Sequence, residues 1–215
     1  MAVPSQASPE LPPLGDVLIS SDRLQARVQE LGAAISDVYA GKDLILVGVL
    51  KGVLCFMADL LRAITIPVEV DFLSISGYGP GERGHGEVRL LKDLERPVEG
   101  RHVLFIEDIV DTGLSLAYLL RHIRSREPAT LEVCALLDRP RRRIMPLNMC
   151  FVGFEIPDVW VVGYGMDYRE RYRNLPYIAV LHPPGRPEVS PEQGEVIVPE
   201  QCADDSEAEN KTPPG

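Results

Sequence analysis

The hydrophobic positions of this chain follow two different periodicities. Between residues 22 and 39, apolar side chains recur at steps of three and four, which predicts an amphipathic helix capped by Ser21 and Gly41. The apolar run Leu44–Leu50 predicts a strand that is buried on both faces. Helices are also predicted over 53–64 and 114–126, strands over 68–75, 103–107 and 131–137, and three further apolar core runs at 150–154, 159–163 and 177–181. Strands that alternate with helices predict a mostly parallel sheet with helices on both faces.

The two ends of the chain depart from this pattern. Residues 1–15 contain four prolines, and residues 183–215 contain seven prolines, eight acidic residues and two basic ones. Such segments bury too little apolar surface to offset the entropy lost on ordering. We therefore predict disordered tails over 1–15 and 183–215, on either side of one domain of residues 16–182, which is long enough for a substantial core.

Charge and composition narrow the function further. A net charge of −10 argues against a protein that holds nucleic acid by bulk electrostatics. The longest clean apolar run has seven residues, Leu44–Leu50, too few for a membrane-spanning helix. The N-terminus lacks the basic and apolar regions of a signal peptide, and the four cysteines show no zinc-type spacing. These features predict a cytoplasmic protein that binds neither nucleic acid nor membrane.

The densest group of candidate functional residues follows strand 103–107. Glu107, Asp108 and Asp111 precede Thr112 and Gly113, and an apolar helix begins directly afterwards. Ligands of open α/β sheets bind beyond the carboxyl ends of strands, and a helix N-terminus favours phosphate. The carboxylates would repel a phosphate, but they can accept hydrogen bonds from a sugar diol or hold a divalent cation. The pattern predicts a site for ribose 5-phosphate with magnesium; the alternative for any one acid is a helix cap.

This segment resembles the phosphoribosyl diphosphate signature of the type I phosphoribosyltransferases, and more narrowly of the hypoxanthine-guanine phosphoribosyltransferases. The resemblance extends over about residues 16–182. It implies the α/β type I phosphoribosyltransferase fold, a mostly parallel central sheet flanked by helices, with a small hood and a mobile loop. It also implies transfer of the 5-phosphoribosyl group from phosphoribosyl diphosphate to N9 of hypoxanthine, and of guanine, with magnesium, by a dimer or tetramer.

The resemblance also implies roles for individual residues. Asp111 would be the general acid or base at purine N7, and a cis peptide would precede Lys51. The residues implied are Lys51, Gly52 and Arg173 for diphosphate; Glu107, Asp108, Asp111, Thr112, Gly113, Leu114 and Ser115 for ribose 5-phosphate; Arg139, Trp160, Val161 and Asp167 for the purine; and Glu107, Asp108 and Asp167 for magnesium.

Two features depart from the family pattern. Arg139 stands where the family usually has lysine; both side chains can donate to the purine O6, so a 6-oxopurine is still expected. In the glycine-rich loop of residues 76–87, Ser76-Gly77-Tyr78 stands where the family has a Ser-Tyr pair, so Tyr78 is expected to be kept. Residues 79–84 of this loop formally match GxGxxG, but Pro80 and the lack of a following apolar helix favour a mobile lid over a dinucleotide site.

Other functions stay open at this stage. A xanthine-preferring enzyme is one alternative, whereas adenine presents a donor that a cationic Arg139 would meet badly. A non-catalytic nucleotide-binding regulator on the same fold is another. The presence of Asp111, Lys51 and Arg173 argues against it, because a sensor need not keep an acid–base group.

Overall fold

A six-stranded sheet forms the centre of the part of the chain that the computed structural model describes, residues 11–76, 89–183 and 197. The strands are β1 Leu14–Ile19, β2 Leu44–Leu50, β3 Val68–Ile75, β4 Leu90–Lys92, β5 His102–Val110, β6 Thr130–Asp138, β7 Phe151–Glu155, β8 Val161–Val162 and β9 Ile178–Leu181. The helices are α1 Ser21–Val38, α2 Leu54–Ala63 and α3 Leu114–Arg124, with a 3₁₀ turn at Pro140–Arg142.

The order of the central sheet is β4-β3-β2-β5-β6-β7. Its strands β3, β2, β5, β6 and β7 run parallel, and β4 is antiparallel to β3. This confirms the predicted mostly parallel sheet. A second, antiparallel sheet of order β1-β9-β8 forms the hood.

Both faces of the central sheet are buried. Along β5, Leu104 and Ile106 pack with the side chains of α1 and α2, whereas Val103 and Phe105 pack with those of α3. This alternation is the two-residue period of a strand covered by helices on both sides. It confirms the layered arrangement that the alternating helices and strands predicted.

Helix α1 has the predicted apolar face but a different N-cap. Leu24 and Val28 are fully buried, as the spacing predicted. The cap is Ser20 rather than Ser21, because the Ser20 side chain accepts a hydrogen bond from the N–H of Arg23. Serine is a favoured N-cap residue, so the sequence allows either Ser20 or Ser21, and the backbone conformation determines which of them is the cap.

The domain boundaries also differ from the prediction. Leu14 and Gly15 belong to β1, so the folded region begins before residue 16. Ile197, inside the predicted tail 183–215, exchanges two backbone hydrogen bonds with Glu155 at the end of β7. Residues 1–10, 184–196 and 198–215 of the predicted tails, and residues 77–87 of the predicted lid with Tyr78, lie outside the described residues. No described helix is long and apolar enough to cross a membrane.

Candidate active site

A cavity of about 290 Å³ lies at the carboxyl ends of the central strands. Parallel strands end at one edge of the sheet, so the segments that follow β2, β5 and β6 converge there. The segment between β7 and β9 closes the opposite side. The lining residues are Lys51, Gly52, Asp108, Ile109, Asp111, Arg139, Trp160, Val161, Met166, Asp167 and Arg173.

Residues 111–113 form the turn that joins β5 to α3 at the edge of this cavity. Gly113 has φ +79, the left-handed conformation that favours glycine, and a Cβ there would lie 2.8 Å from Leu147 Cδ1. The Thr112 hydroxyl oxygen lies 3.4 Å from the Leu114 nitrogen. The first N–H groups of a helix have no partner within the helix. The turn therefore offers donors and a positive dipole end to an anion.

Two acidic residues before this turn are held in a low-polarity environment. Burial, reinforced by the charge of Asp108, raises the pKa of Glu107 well above its usual range. Burial also raises the pKa of Asp108 to about 6, although the Ile109 N–H donates to this carboxylate. Among the described residues, Glu107 Oε2 is buried and receives no hydrogen bond. Gly52 packs against Asp108, since a Cβ at Gly52 would collide with Asp108 Oδ2.

Asp111 belongs to a network of two acidic and two basic residues. Arg139, only 4% exposed, places Nη1 3.2 Å from Asp111 Oδ1 and 3.8 Å from Asp158 Oδ1. Arg142 places Nε 2.7 Å from Asp158 Oδ1. The side chain of Asp111 is 40% exposed, so a ligand in the cavity can still reach it. Asp158 and Arg142 were not predicted; the run of arginines after β6 is the sequence feature that could have indicated this network.

The two cations predicted to bind diphosphate meet at one carboxylate, which belongs to Glu170. Lys51 Nζ lies 3.1 Å and Arg173 Nη2 3.3 Å from Glu170 Oε2. Arg173 Nη2 also lies 2.8 Å from Asp167 Oδ1. Hydrogen bonds from Lys51 and Arg173 lower the pKa of Glu170. Glu170 was not predicted, because nothing in its local sequence points to Lys51. The Leu50–Lys51 peptide is cis, as the resemblance implied.

A family model for the phosphoribosyl transferase domain matches residues 20–169. The chain belongs to the phosphoribosyl transferase family. Among curated relatives, the hypoxanthine-guanine phosphoribosyltransferase of Bacillus subtilis (strain 168) is 50% identical over 167 residues, 78% of this chain and 93% of the relative. That of Mycobacterium avium is 47% identical over 173 residues, 78% of this chain and 85% of the relative.

Solved structures agree with this membership. A hypoxanthine phosphoribosyltransferase from Staphylococcus aureus superposes with a TM-score of 0.75 at 45% identity, covering 79% of this chain and 92% of that one. A hypoxanthine-guanine phosphoribosyltransferase from Bacillus anthracis gives 0.74 at 44% identity, covering 79% of this chain and 100% of that one. The predicted type I phosphoribosyltransferase fold is thereby confirmed.

Most residues to which the phosphoribosyltransferase resemblance assigned a role line the cavity, and the others adjoin it. Glu107, Thr112, Gly113, Leu114 and Ser115 lie outside the lining, in β5, the following turn and the start of α3. The structure adds two lining residues that were not predicted, Ile109 and Met166. Each is adjacent in the sequence to a predicted site residue, and this adjacency is the feature from which it could have been predicted.

The three acids assigned to magnesium do not form a metal-binding cluster. Within residues 11–76, 89–183 and 197, no three His, Cys, Asp or Glu side chains are placed to hold a metal ion. Asp108 and Asp167 share the cavity, but Glu107 does not line it. Magnesium is commonly held by one or two carboxylates together with substrate phosphates and water. The residues present fit such a shared site and do not fit an all-protein cage.

Proposed function

We propose that this chain is a purine-salvage phosphoribosyltransferase. It transfers the 5-phosphoribosyl group from phosphoribosyl diphosphate to N9 of hypoxanthine and of guanine, and releases diphosphate with IMP or GMP. The observation that supports this is one cavity whose lining brings together Asp111, the pair Arg139 and Trp160, and the cations Lys51 and Arg173. The relatives named above bear the same activity in their names.

The aromatic side of the cavity suits the purine. Trp160 offers a ring on which a base can stack, and the Val161 backbone can meet the base edge. The Arg139 guanidinium donates hydrogen bonds only, so it suits the carbonyl O6 of hypoxanthine and guanine. Asp111 lies 3.2 Å from Arg139 and is accessible from the cavity, which suits proton exchange at purine N7.

The cationic side suits the diphosphate leaving group. Lys51 and Arg173 supply positive charge there, and the turn before α3 supplies N–H donors for the 5-phosphate. As the glycosidic bond forms, the ribose passes through an oxocarbenium-like state, and the Asp108 carboxylate, which lines the cavity, stabilises its developing positive charge.

We propose magnesium as the cofactor, with Asp108 and Asp167 as its protein ligands. A bound magnesium ion would neutralise charge on the departing diphosphate. Loss of solvation raises the pKa of Asp108, and one Glu107 oxygen receives no hydrogen bond. A bound cation and the ribose hydroxyls would supply the interaction partners that the protein does not. The cytoplasmic location and the dimeric or tetrameric state stay predictions; light scattering of the purified protein measures the latter.

An initial-rate panel tests this function. Hypoxanthine, guanine, xanthine and adenine are each supplied with saturating phosphoribosyl diphosphate and magnesium. We expect turnover of hypoxanthine and guanine, and its loss when a chelator removes magnesium. Preferential turnover of xanthine would support the alternative specificity. Binding of IMP or GMP without turnover of any base would support the regulator and overturn the proposal.

A further inference from the structure

Arg143 has no role in the substrate contacts above, yet its guanidinium lies directly behind the active-site turn. Its Nε donates to the Asp111 carbonyl at 3.1 Å, and its Nη2 lies 3.4 Å from the Val110 carbonyl. The same Nη2 forms an ion pair with the Asp138 carboxylate. One side chain therefore connects the end of β6 with the last residue of β5 and with Asp111.

The backbone after Arg143 strengthens this connection. The N–H groups of Ile144 and Met145 both donate to the Thr112 carbonyl at 3.0 Å. The Arg143 side chain also packs against Gly113, where an added Cβ would lie 3.4 Å from Arg143 Cδ. Residues 143–145 thus enclose the outer side of the turn, while its inner side meets the cavity.

Asp138 gives the guanidinium a fixed anchor. It is 7% exposed and sits in register with Val110 of β5 and Glu155 of β7. Its carbonyl accepts from the Ile156 N–H at 2.8 Å. Because β6 is an interior strand paired with both β5 and β7, Asp138 offers Arg143 an anchor point within the sheet.

We propose that Arg143 is a positioning residue for phosphoribosyl transfer. It holds residues 111–113 so that the Asp111 carboxylate faces the cavity and the N–H groups of the turn face the 5-phosphate, and it does not touch substrate. The planar guanidinium can bond a carboxylate and two carbonyls at once, which a lysine ammonium cannot do with this geometry. This inference rests on the proposed function.

Arg143→Lys and Arg143→Ala test the proposal, with Arg141→Ala as the matched control. Arg141 is exposed and lies two residues away, in the 3₁₀ turn that directly precedes Arg143. Displacement of a reacting group by about 1 Å can cost on the order of 100-fold in rate. We expect both Arg143 variants to raise the KM for phosphoribosyl diphosphate and lower kcat, together by about 10- to 100-fold in kcat/KM. The KM for hypoxanthine should change less, and Arg141→Ala should behave as the wild type.

Two further measurements separate positioning from general stability. Added guanidinium ion at millimolar concentration should restore part of the activity of Arg143→Ala. Hydrogen exchange of the substrate-free proteins should accelerate at the amides of residues 111–116 in Arg143→Lys, with melting temperature nearly unchanged. Unchanged kinetics in folded Arg143→Lys, or exchange that rises equally throughout the domain, would overturn the proposal. If the wild type lacks turnover, the proposed function fails. The hydrogen-exchange experiment would still test whether Arg143 holds residues 111–113 in place.

Discussion

The acidic residues of the site occupy two different environments. Loss of solvation raises the pKa values of Glu107 and Asp108, whereas Asp111 is paired with Arg139 and its side chain is 40% exposed. A group that exchanges a proton with a substrate must be reachable from the cavity. Asp111 meets this condition, and its partner Arg139 also lines the surface proposed for the base.

Asp111→Asn should therefore leave the fold intact and lower turnover. The amide keeps the size of the side chain but cannot exchange the proton, and general acid–base catalysis contributes roughly 10²- to 10⁴-fold. Steady-state kcat and a thermal melt measure the two effects. Asp158→Asn is the control, because Asp158 contacts the same arginines without lining the cavity. Equal losses in both variants would mean that Asp111 acts only through these ion pairs.

Glu170→Gln should strengthen the binding of inorganic diphosphate. The Glu170 carboxylate contacts both Lys51 and Arg173, so an incoming diphosphate competes with it for these cations. Exposed ion pairs are weak because water and salt screen them, so we expect a gain of only a few-fold in affinity. Calorimetry with magnesium and diphosphate measures it. Glu30→Gln, which removes an exposed partner of Arg27, is the control and should change nothing. Weaker binding by Glu170→Gln would show that Glu170 assists the site.

At the scale of elements, the loop after β2 and the turn before β9 meet without any side chain between them. Gly165 has φ +101, and a Cβ there would collide with the Gly52 carbonyl oxygen. The Gly165 N–H donates to the Arg173 carbonyl, and its own carbonyl accepts from the Arg173 guanidinium. The distance between Lys51 and Arg173 on the cationic side of the cavity therefore depends on a glycine.

Gly165→Ala should disturb this spacing. The added methyl group forces the loop after β2 away, and such overpacking typically costs about 1–3 kcal/mol. Gly41→Ala is the matched control, since Gly41 also has positive φ but nothing within 4 Å of an added Cβ. Urea unfolding and the KM for phosphoribosyl diphosphate measure the two effects. If Gly165→Ala were as stable as Gly41→Ala and had the same KM for phosphoribosyl diphosphate, the close approach of Gly165 to Gly52 would be contradicted.

The segment after β4 is attached to β3 by one buried acid, Asp71. Burial acts to raise its pKa, but the N–H groups of Arg96, Phe72 and Glu95, together with Lys92, donate to the carboxylate and lower the pKa overall. Because the pKa of Asp71 is lower in the folded than in the unfolded protein, its ionised carboxylate stabilises the fold fully at pH values above the unfolded-state pKa of 3.8. This stabilisation is lost as the pH falls through the lower pKa of the folded state.

Asp71→Asn should consequently destabilise the protein more at pH 7 than at pH 3. The loss at neutral pH should be about 1–3 kcal/mol, since buried donors lose a charged acceptor. Urea unfolding at both pH values measures it, with the exposed Asp37→Asn as control. If Asp71→Asn lowered the free energy of unfolding equally at pH 7 and pH 3, ionisation of Asp71 would not be the source of the stabilisation.

Elements with strong local patterns were predicted well, and those formed by distant pairing were not. Strands β2 and β3 match their predicted bounds because each is a continuous apolar or alternating run. The hood strand β1 was missed, since Ile19 is its one buried residue and its partner β9 lies far along the chain. The three-residue β4 was missed because it is too short to show a period.

At the scale of the whole molecule, the acidic C-terminal extension, residues 183–215, lies apart from the residues that line the cavity. The match to the Bacillus subtilis relative covers 93% of that protein but 78% of this chain. The lining of the cavity runs from Lys51 to Arg173, well before the extension. More than half of the net charge therefore lies in a segment that contributes no residue to the described site.

Removal of residues 183–215 should leave kcat and both KM values nearly unchanged. The described contact that it eliminates is the pair of backbone hydrogen bonds between Ile197 and Glu155, so a small decrease in melting temperature is expected. Ile197→Pro in the full chain is the control for this loss, because proline cannot donate its hydrogen bond. A large fall in activity on truncation would place the domain boundary beyond residue 183.

The sequence by itself determined the layered α/β fold, the acid-rich turn before α3 and the family. These follow from hydrophobic period and from side chains close together in the chain. Only the tertiary structure decided how charges pair within the site. Glu170 meets Lys51 across 119 positions, and Arg143 stands behind Asp111 because the loop after β6 folds back onto β5. Such pairings depend on loop conformation and packing, which no local pattern encodes.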